Sequence, residues 1–182
     1  MDIAQWLEAR KDQIASRWMA ALANARPGDK ALVDLGPALC EALASLLPGV
    51  LTAYRHQIEP LWRDASALYG SVAARRGLSA GEVIEEFHEL RDVLLRLLFE
   101  DPPMASGARL SLREVLHLNR IIDVGVTQAS VGHTDLLFFS LIHGSGVPTP
   151  LEDEDRREVK DQLEAIAADG VRIMRILRVD RA

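Results

Sequence analysis

Cysteine is nearly missing from this chain: Cys40 stands alone among 182 residues. A single thiol excludes an internal disulfide and agrees with a reducing compartment. Cys40 lies beside Leu39 and Leu43 on the inner face of a helix, without a neighbouring His or Lys to lower its pKa, so it reads as a small core residue. Aromatics are scarce at 5%, which leaves Leu and Ala to fill the interior. No continuous apolar run reaches the ~18 residues of a spanning helix. The N-terminal Met-Asp-Ile-Ala-Gln-Trp lacks the basic start and apolar stretch of a secretory signal, so a cytoplasmic location is expected. Positive charge is not in excess either. The formal net charge of -6 argues against unspecific binding to nucleic acid or to an anionic membrane, both of which need a cationic surface.

What is present is helix grammar. Ile3, Trp6, Leu7, Ile14, Trp18 and Leu22 recur at three-to-four-residue steps and predict a first helix over Asp2 to Ala25, ended by Arg26-Pro-Gly-Asp29. A second helix is expected from about Ala31 or Pro37 to Leu47, kinked or restarted at Pro48. Pro60 fits the first turn of a third, whose inner stripe is Leu61, Ala65, Leu68, Tyr69 and Val72 and whose stop is Gly77. Arg75-Arg76 and Arg156-Arg157 read as solvated surface. Ser79-Ala-Gly-Glu82 is a capping box opening a fourth helix with Val83, Phe87, Leu90, Leu94 and Leu97 inward. Asp101 to Gly107 is a loop, and Ser111-Leu-Arg-Glu114 is a second capping box. The long helix it opens carries Val115, Leu118, Ile122 and Val126, with Gly132-His133 as a point of bending. Gly144 to Pro150 is the plainest break.

After that break Val159, Leu163, Ile166, Gly170, Ile173 and Leu177 form a coiled-coil-like seam. It pairs with a twin in a homodimer or folds back; the same stripe serves both. The pattern predicts an all-α bundle of about five to seven helices. It comprises a helical domain over 1–143, a Gly/Pro linker over 144–150 and a C-terminal helix over 151–182.

Reactive chemistry is hard to find. Gly144-Ser-Gly146 lacks the Lys and spacing of a phosphate-binding loop. Glu85-Glu86-Phe87-His88-Glu89 is the one cluster near metal-ligand spacing, but no second Glu-x-x-His completes a bundle site. Its three glutamates therefore read as the wet face of helix four, and no metal site is expected. Neither Ser nor Cys comes with a positioned base, so no enzyme is expected. Among the histidines, His56, His88, His117, His133 and His143 are candidates for holding haem. Trp62, Tyr69, Phe87 and His88 are candidates for lining a small apolar pocket, with Phe138 and Phe139 nearby in the pattern. Leu136-Leu-Phe-Phe139 suits either an interaction patch or a buried interface.

Tyr69-Gly70, Arg75-Arg76-Gly77-Leu78, Val83, Glu86-Phe87 and Leu90-Arg91 resemble the helix-turn-helix block of the RsbRD N-terminal sensor domain family. Arg17-Trp18, Leu118-Asn119-Arg120 and Asp123 agree, and the likeness spans about Asp2 to Leu137. Tyr69 stands where a histidine is expected before the glycine. The resemblance implies a globin-like or bundle-type sensory domain, usually without haem. It implies a homodimer that passes a stress or two-component signal to a kinase, phosphatase or anti-sigma partner, with no catalytic residues. No output module follows here, so the chain is expected to act in trans or to be a remnant. A haem gas sensor is the first alternative. The second is a degenerate phosphotransfer protein using His143, because His143-Gly-Ser-Gly-Val-Pro148 echoes a kinase phosphoacceptor box.

Overall fold

The computed structural model describes residues 3–103, 111–144 and 146–179, apart from the side chains of 177–179. Among the described residues there are seven helices and no strand: α1 Ile3–Glu8, α2 Lys11–Ala25, α3 Lys30–Val50, α4 Arg55–Arg75, α5 Ala80–Glu100, α6 Leu112–Ile142 and α7 Asp153–Val179. The all-α bundle with a long C-terminal helix is as expected. The core of the bundle is built around α3, which α1, α2, α4 and α7 all touch, and around α4, which lies along α6; α5 bridges α2 and α6.

The expected first helix is two. Arg10 leaves the helical conformation and its amide donates back to the Leu7 carbonyl at 3.0 Å. Its guanidinium lies 4.8 Å from the centre of the Trp6 ring and pairs with Asp101. The break lets Trp6 and Leu7 turn fully inward, and the Trp6 indole donates to the Asp101 carbonyl at 2.7 Å. The prolines also behave differently from expectation. Pro37 and Pro48 lie inside an unbroken α3, and Pro60 is the sixth residue of α4 rather than part of its first turn. Each forfeits one intrahelical bond, and the surrounding core residues on both helices hold the line that local propensity would break.

By length and mean hydropathy, 1.4, α3 is apolar enough to cross a bilayer, yet 61% of that stretch is buried inside the bundle. Its composition is that of a central core helix.

Helix starts follow the expected chemistry. Ser79 accepts from the Glu82 amide while the Glu82 carboxylate accepts from the Ser79 amide at 2.7 Å, and Ser111 and Glu114 repeat the arrangement. The Ser79 amide, then the Ser79 hydroxyl and Arg26, hold the Glu82 carboxyl down at about 2. Gly77 takes φ 82°, the left-handed value that stops α4 without a Cβ penalty.

α6 runs as an unbroken α-helix through Gly132-His133. Gly132 instead permits backbone contact between helices: a Cβ there would sit 2.0 Å from the Ala67 carbonyl oxygen, and one on Gly70 would sit 1.8 Å from the Ala129 carbonyl oxygen. Ser71 Oγ reaches the Gly132 carbonyl at 3.1 Å across the same crossing. Gly125 continues it, with the Trp62 and Phe87 rings lying where its side chain would be.

Candidate functional site

Two neighbouring arginines at the end of α4 face opposite ways. Arg76 is buried, contrary to its reading as solvated surface, and so is Glu86 of α5, read as part of a wet face. Their side chains are 1% and 4% exposed, and the guanidinium meets the carboxylate with two bonds, 2.9 Å to Oε2 and 2.7 Å to Oε1. Such a fork is the strong form of an ion pair. Arg76 Nε also donates to Asp29 Oδ2 at 2.9 Å, while Asp29 Oδ1 accepts from the Leu32 amide and caps α3. Tyr69 Oη donates to Glu86 Oε2 at 2.6 Å, the Trp18 indole donates to the Glu86 carbonyl at 2.8 Å, and Arg26 Nε lies 3.4 Å from Glu86 Oε1. Tyr69, Arg76 and Arg26 thus converge on the Glu86 carboxylate, and Asp29 ties the start of α3 to it through Arg76.

Burial, followed by the Glu86 charge, pushes the Tyr69 phenol well above its ordinary value. Burial also pushes the Cys40 thiol up, with Glu86 adding to it. For Arg76 burial opposes the charge, but the hydrogen bond and charge of Glu86 outweigh it and the net shift is upward. These groups organise the core where α2, α3, α4 and α5 meet.

Arg75 points outward to α7, where its guanidinium meets Asp155 Oδ1 at 2.8 Å. Lys160 reaches Asp34 Oδ1 of α3 at 2.8 Å, and Arg156 lies 3.6 Å from Oδ2 of the same aspartate. Lys160 chiefly holds Asp34 below the ordinary aspartate range; the Glu152 amide, then Arg75, does so for Asp155. Between these pairs Val159 and Leu163 are buried, and Ile166 and Ile173 are half-buried against the core. The seam is therefore occupied by α3 and α4 of the same chain; the Leu177 side chain lies outside the described residues.

Alongside, an open groove of about 550 Å³ runs between α2 and α3, lined by Ala15, Met19, Ala23 and Pro37 with Asp12 and Glu41. It shares Asp12 and Glu41 with a second cavity of about 430 Å³, one wall of which is Leu163, Ala167 and Val171 of α7.

Set against known families, residues 12–136 match the model of the RsbT co-antagonist protein rsbRD N-terminal domain. The chain belongs to this family. Searches of curated proteins and of solved structures return no match. Within the rsbRD N-terminal domain the buried network falls inside the matched region, and α7 falls beyond it.

The sequence-predicted positions separate on this frame. Trp62, Tyr69 and Phe87 come together in the core of the rsbRD N-terminal domain, fully buried. Tyr69 stacks on Trp18 at 5.6 Å and meets the edge of Phe87 at 5.2 Å, so these rings fill space rather than line the groove. The Trp62 indole donates to the Ile121 carbonyl at 3.1 Å. His88 is exposed, one residue along α5 from the buried Phe87.

His133 is the buried histidine; its Nε2 meets the Leu78 carbonyl at 2.6 Å beside the α4–α6 crossing, and its Nδ1 is without a partner. His56, His88 and His143 are exposed. Burial, then Arg55, Arg113 and Arg120, lower the pKa of half-buried His117. His143 is the residue that ends α6, its ring 4.1 Å from the Phe139 ring. It stands at a helix end rather than within a helix. Among the described residues no three His, Cys, Asp or Glu side chains gather as metal ligands.

Sequence reasoning missed the Arg76–Glu86–Asp29 network. A signal for it existed: Glu86 falls with Val83 and Leu90 on the inner stripe of α5, and Arg76 falls with Tyr69 and Val72 on that of α4.

Proposed function

We propose that this protein is a non-enzymatic regulator in bacterial stress or two-component signalling, working by a change in helix packing that repositions α7 for a regulatory protein partner. The observation that carries this reading is the adjacency of Arg75 and Arg76. One locks the buried network that joins four helices, and the next holds α7 from outside. A shift in the packing of the network displaces the last turn of α4 and with it the anchor of α7. Two packings of one interface are what turn a binding event into an output. The groove between α2 and α3 falls in the ordinary volume range of small-ligand sites and leads to the α7 wall, which gives an apolar effector a route to the same helix.

Hydrogen exchange tests the reading. In the double variant Arg75→Ala, Lys160→Ala the α7 amides should exchange at least tenfold faster while those of α4 and α6 keep wild-type rates, and the set of regulatory proteins captured from extract should change with them. An α7 that exchanges only with global unfolding, in wild type and variant alike, overturns it.

A further inference from the structure

The chain carries a net charge of -6, yet cations gather in excess where α4 and α6 begin to run together. The two helices lie parallel: the Trp62 indole donates to the Ile121 carbonyl at 3.1 Å, and further along both of them Ser71 Oγ reaches the Gly132 carbonyl at 3.1 Å. Trp62 belongs to the stripe Arg55, Glu59, Trp62, Ser66 of α4, and Ile121 to the stripe Arg113, His117, Ile121 of α6, each stepping by three or four residues. Following both stripes back from the Trp62–Ile121 bond brings Arg55 and Glu59 alongside His117 and Arg113. Arg63, bound to Glu59, and Arg120, whose charge reaches His117, stand beside them.

The carboxylates of this region are spent. Glu59, 12% exposed, accepts from Arg55 Nε on Oε2 at 2.7 Å and from Arg63 on Oε1 at 2.6 and 3.1 Å. Glu114 closes the capping box with Ser111, and Asp123 is neutralised by Arg91. Arg113 and Arg120 are exposed and have no hydrogen-bond or ion-pair partner among the described residues. Arg55, held through its Nε, keeps both Nη nitrogens for other acceptors. Four guanidiniums face one carboxylate, and an excess of this kind concentrates anions.

His117 gives an independent sign. Its Nε2 is buried without a partner, whereas buried polar atoms are as a rule hydrogen-bonded. Burial, then the charges of Arg55, Arg113 and Arg120, disfavour the charged ring, so these three arginines lie within electrostatic reach of one imidazole. A neutral imidazole with its hydrogen on Nε2 is a donor in want of an acceptor, which an anion held by the arginines supplies. A planar carboxylate is matched by a single guanidinium fork, as at Glu86. Donors that approach from two helices suit instead a phosphate group, with three strong acceptor oxygens and a charge of about -1.5 to -2 at pH 7.

We propose that Arg55, Arg63, Arg113, His117 and Arg120 form a binding site for a phosphate group, carried as the free ion or as the monoester of a small metabolite. Arg113 and Arg120 hold it from the rim, and His117 Nε2 donates to one of its oxygens. The inference stands independently of the functional reading above.

Calorimetric titration of the whole chain at pH 7 and low salt decides it, with inorganic phosphate and glycerol phosphate as probes and acetate as the planar, singly charged comparison. The tighter of the two phosphates should bind at one site with a dissociation constant below about 1 mM, and acetate at least tenfold more weakly. Glycerol phosphate binding the more tightly assigns the monoester; binding no tighter than inorganic phosphate assigns the free ion. Arg113→Gln and Arg120→Gln, which remove no contact within the fold, should each weaken binding about fivefold or more. Arg96→Gln, at a 75% exposed arginine of α5, should leave it unchanged. In proton NMR, saturating phosphate should raise the His117 pKa by about 0.5 or more, because an anion favours the charged imidazole, and should leave His88 and His143 where they are. No saturable binding of either phosphate below about 10 mM, binding that both glutamine variants retain in full, or a His117 titration indifferent to phosphate would overturn the proposal.

Discussion

Helix α4 is gripped by two long helices in opposite manners. Against α6 the contact is backbone on backbone, made possible by Gly70 and Gly132, where any Cβ would collide with a carbonyl oxygen. Against α7 the contact is made by side-chain ends. Leu61 of α4 lies 4.0 Å from where a Cβ on Gly170 of α7 would be, and Arg75 of α4 holds Asp155 of α7 in a half-exposed ion pair; on the α3 side Gly170 faces the Leu46 methyl and Lys160 reaches Asp34. Packed backbones leave no alternative arrangement at comparable energy, because a shift of a few tenths of an ångström is already a clash. Methyl groups and solvated ion pairs re-form elsewhere at little cost. The α4–α6 pair is therefore a frame, and α7 is a part carried on it.

The contrast is sharpest between adjacent residues. Arg76→Met strands the Glu86 carboxylate in the core and should cost about 3–5 kcal/mol of global stability, as expected for a buried pair losing one member. Arg75→Met should cost under about 1 kcal/mol. Urea unfolding of both variants measures the difference; equal losses would remove the distinction between frame and carried part.

Next comes the crossing itself. Gly132→Ala drives a methyl into the Ala67 carbonyl and should destabilise by about 3 kcal/mol, the upper end of ordinary overpacking. Gly170→Ala, which displaces only a leucine methyl, should cost well under half of that in the same assay.

Acid gives the smallest effect. Asp34 and Asp155 have folded pKa values depressed below those of the unfolded chain, so their contribution is fully present above the unfolded value and disappears as pH falls through the folded one. Protection of the α7 amides should hold steady from pH 7 to about 5 and decline below about 4, ahead of the α4 and α6 amides. Simultaneous loss in all three helices would contradict the separation.

The legible parts of this fold are those whose partners lie within one turn of the chain. Ser79 with Glu82 and Ser111 with Glu114 satisfy each other locally, and Gly77 needs only its own φ, so these boundaries follow from the sequence. Pro37, Pro48 and Pro60 mislead because their local penalty is outweighed by core contacts that come from distant helices. Arg76 and Glu86 mislead for the same reason in reverse: each is a surface residue by type, and only the partner ten positions away makes burial tolerable. The rings of Trp62, Tyr69 and Phe87 read correctly as neighbours, but whether neighbours close on each other or on a ligand depends on Trp18, which stacks on Tyr69 from 51 residues upstream. The groove was out of reach altogether, since Ala15, Ala23 and Pro37 announce nothing by chemistry.

Asp29 serves two masters, with Oδ1 on the Leu32 amide in the first turn of α3 and Oδ2 on Arg76 at the end of α4. A single carboxylate so divided works as a shared origin of coordinates, and neither rod can be re-aimed while the other stays put. The short bend between α2 and α3 is for that reason a fixed point of the architecture, and lengthening it should disturb helices on both sides of the bundle alike.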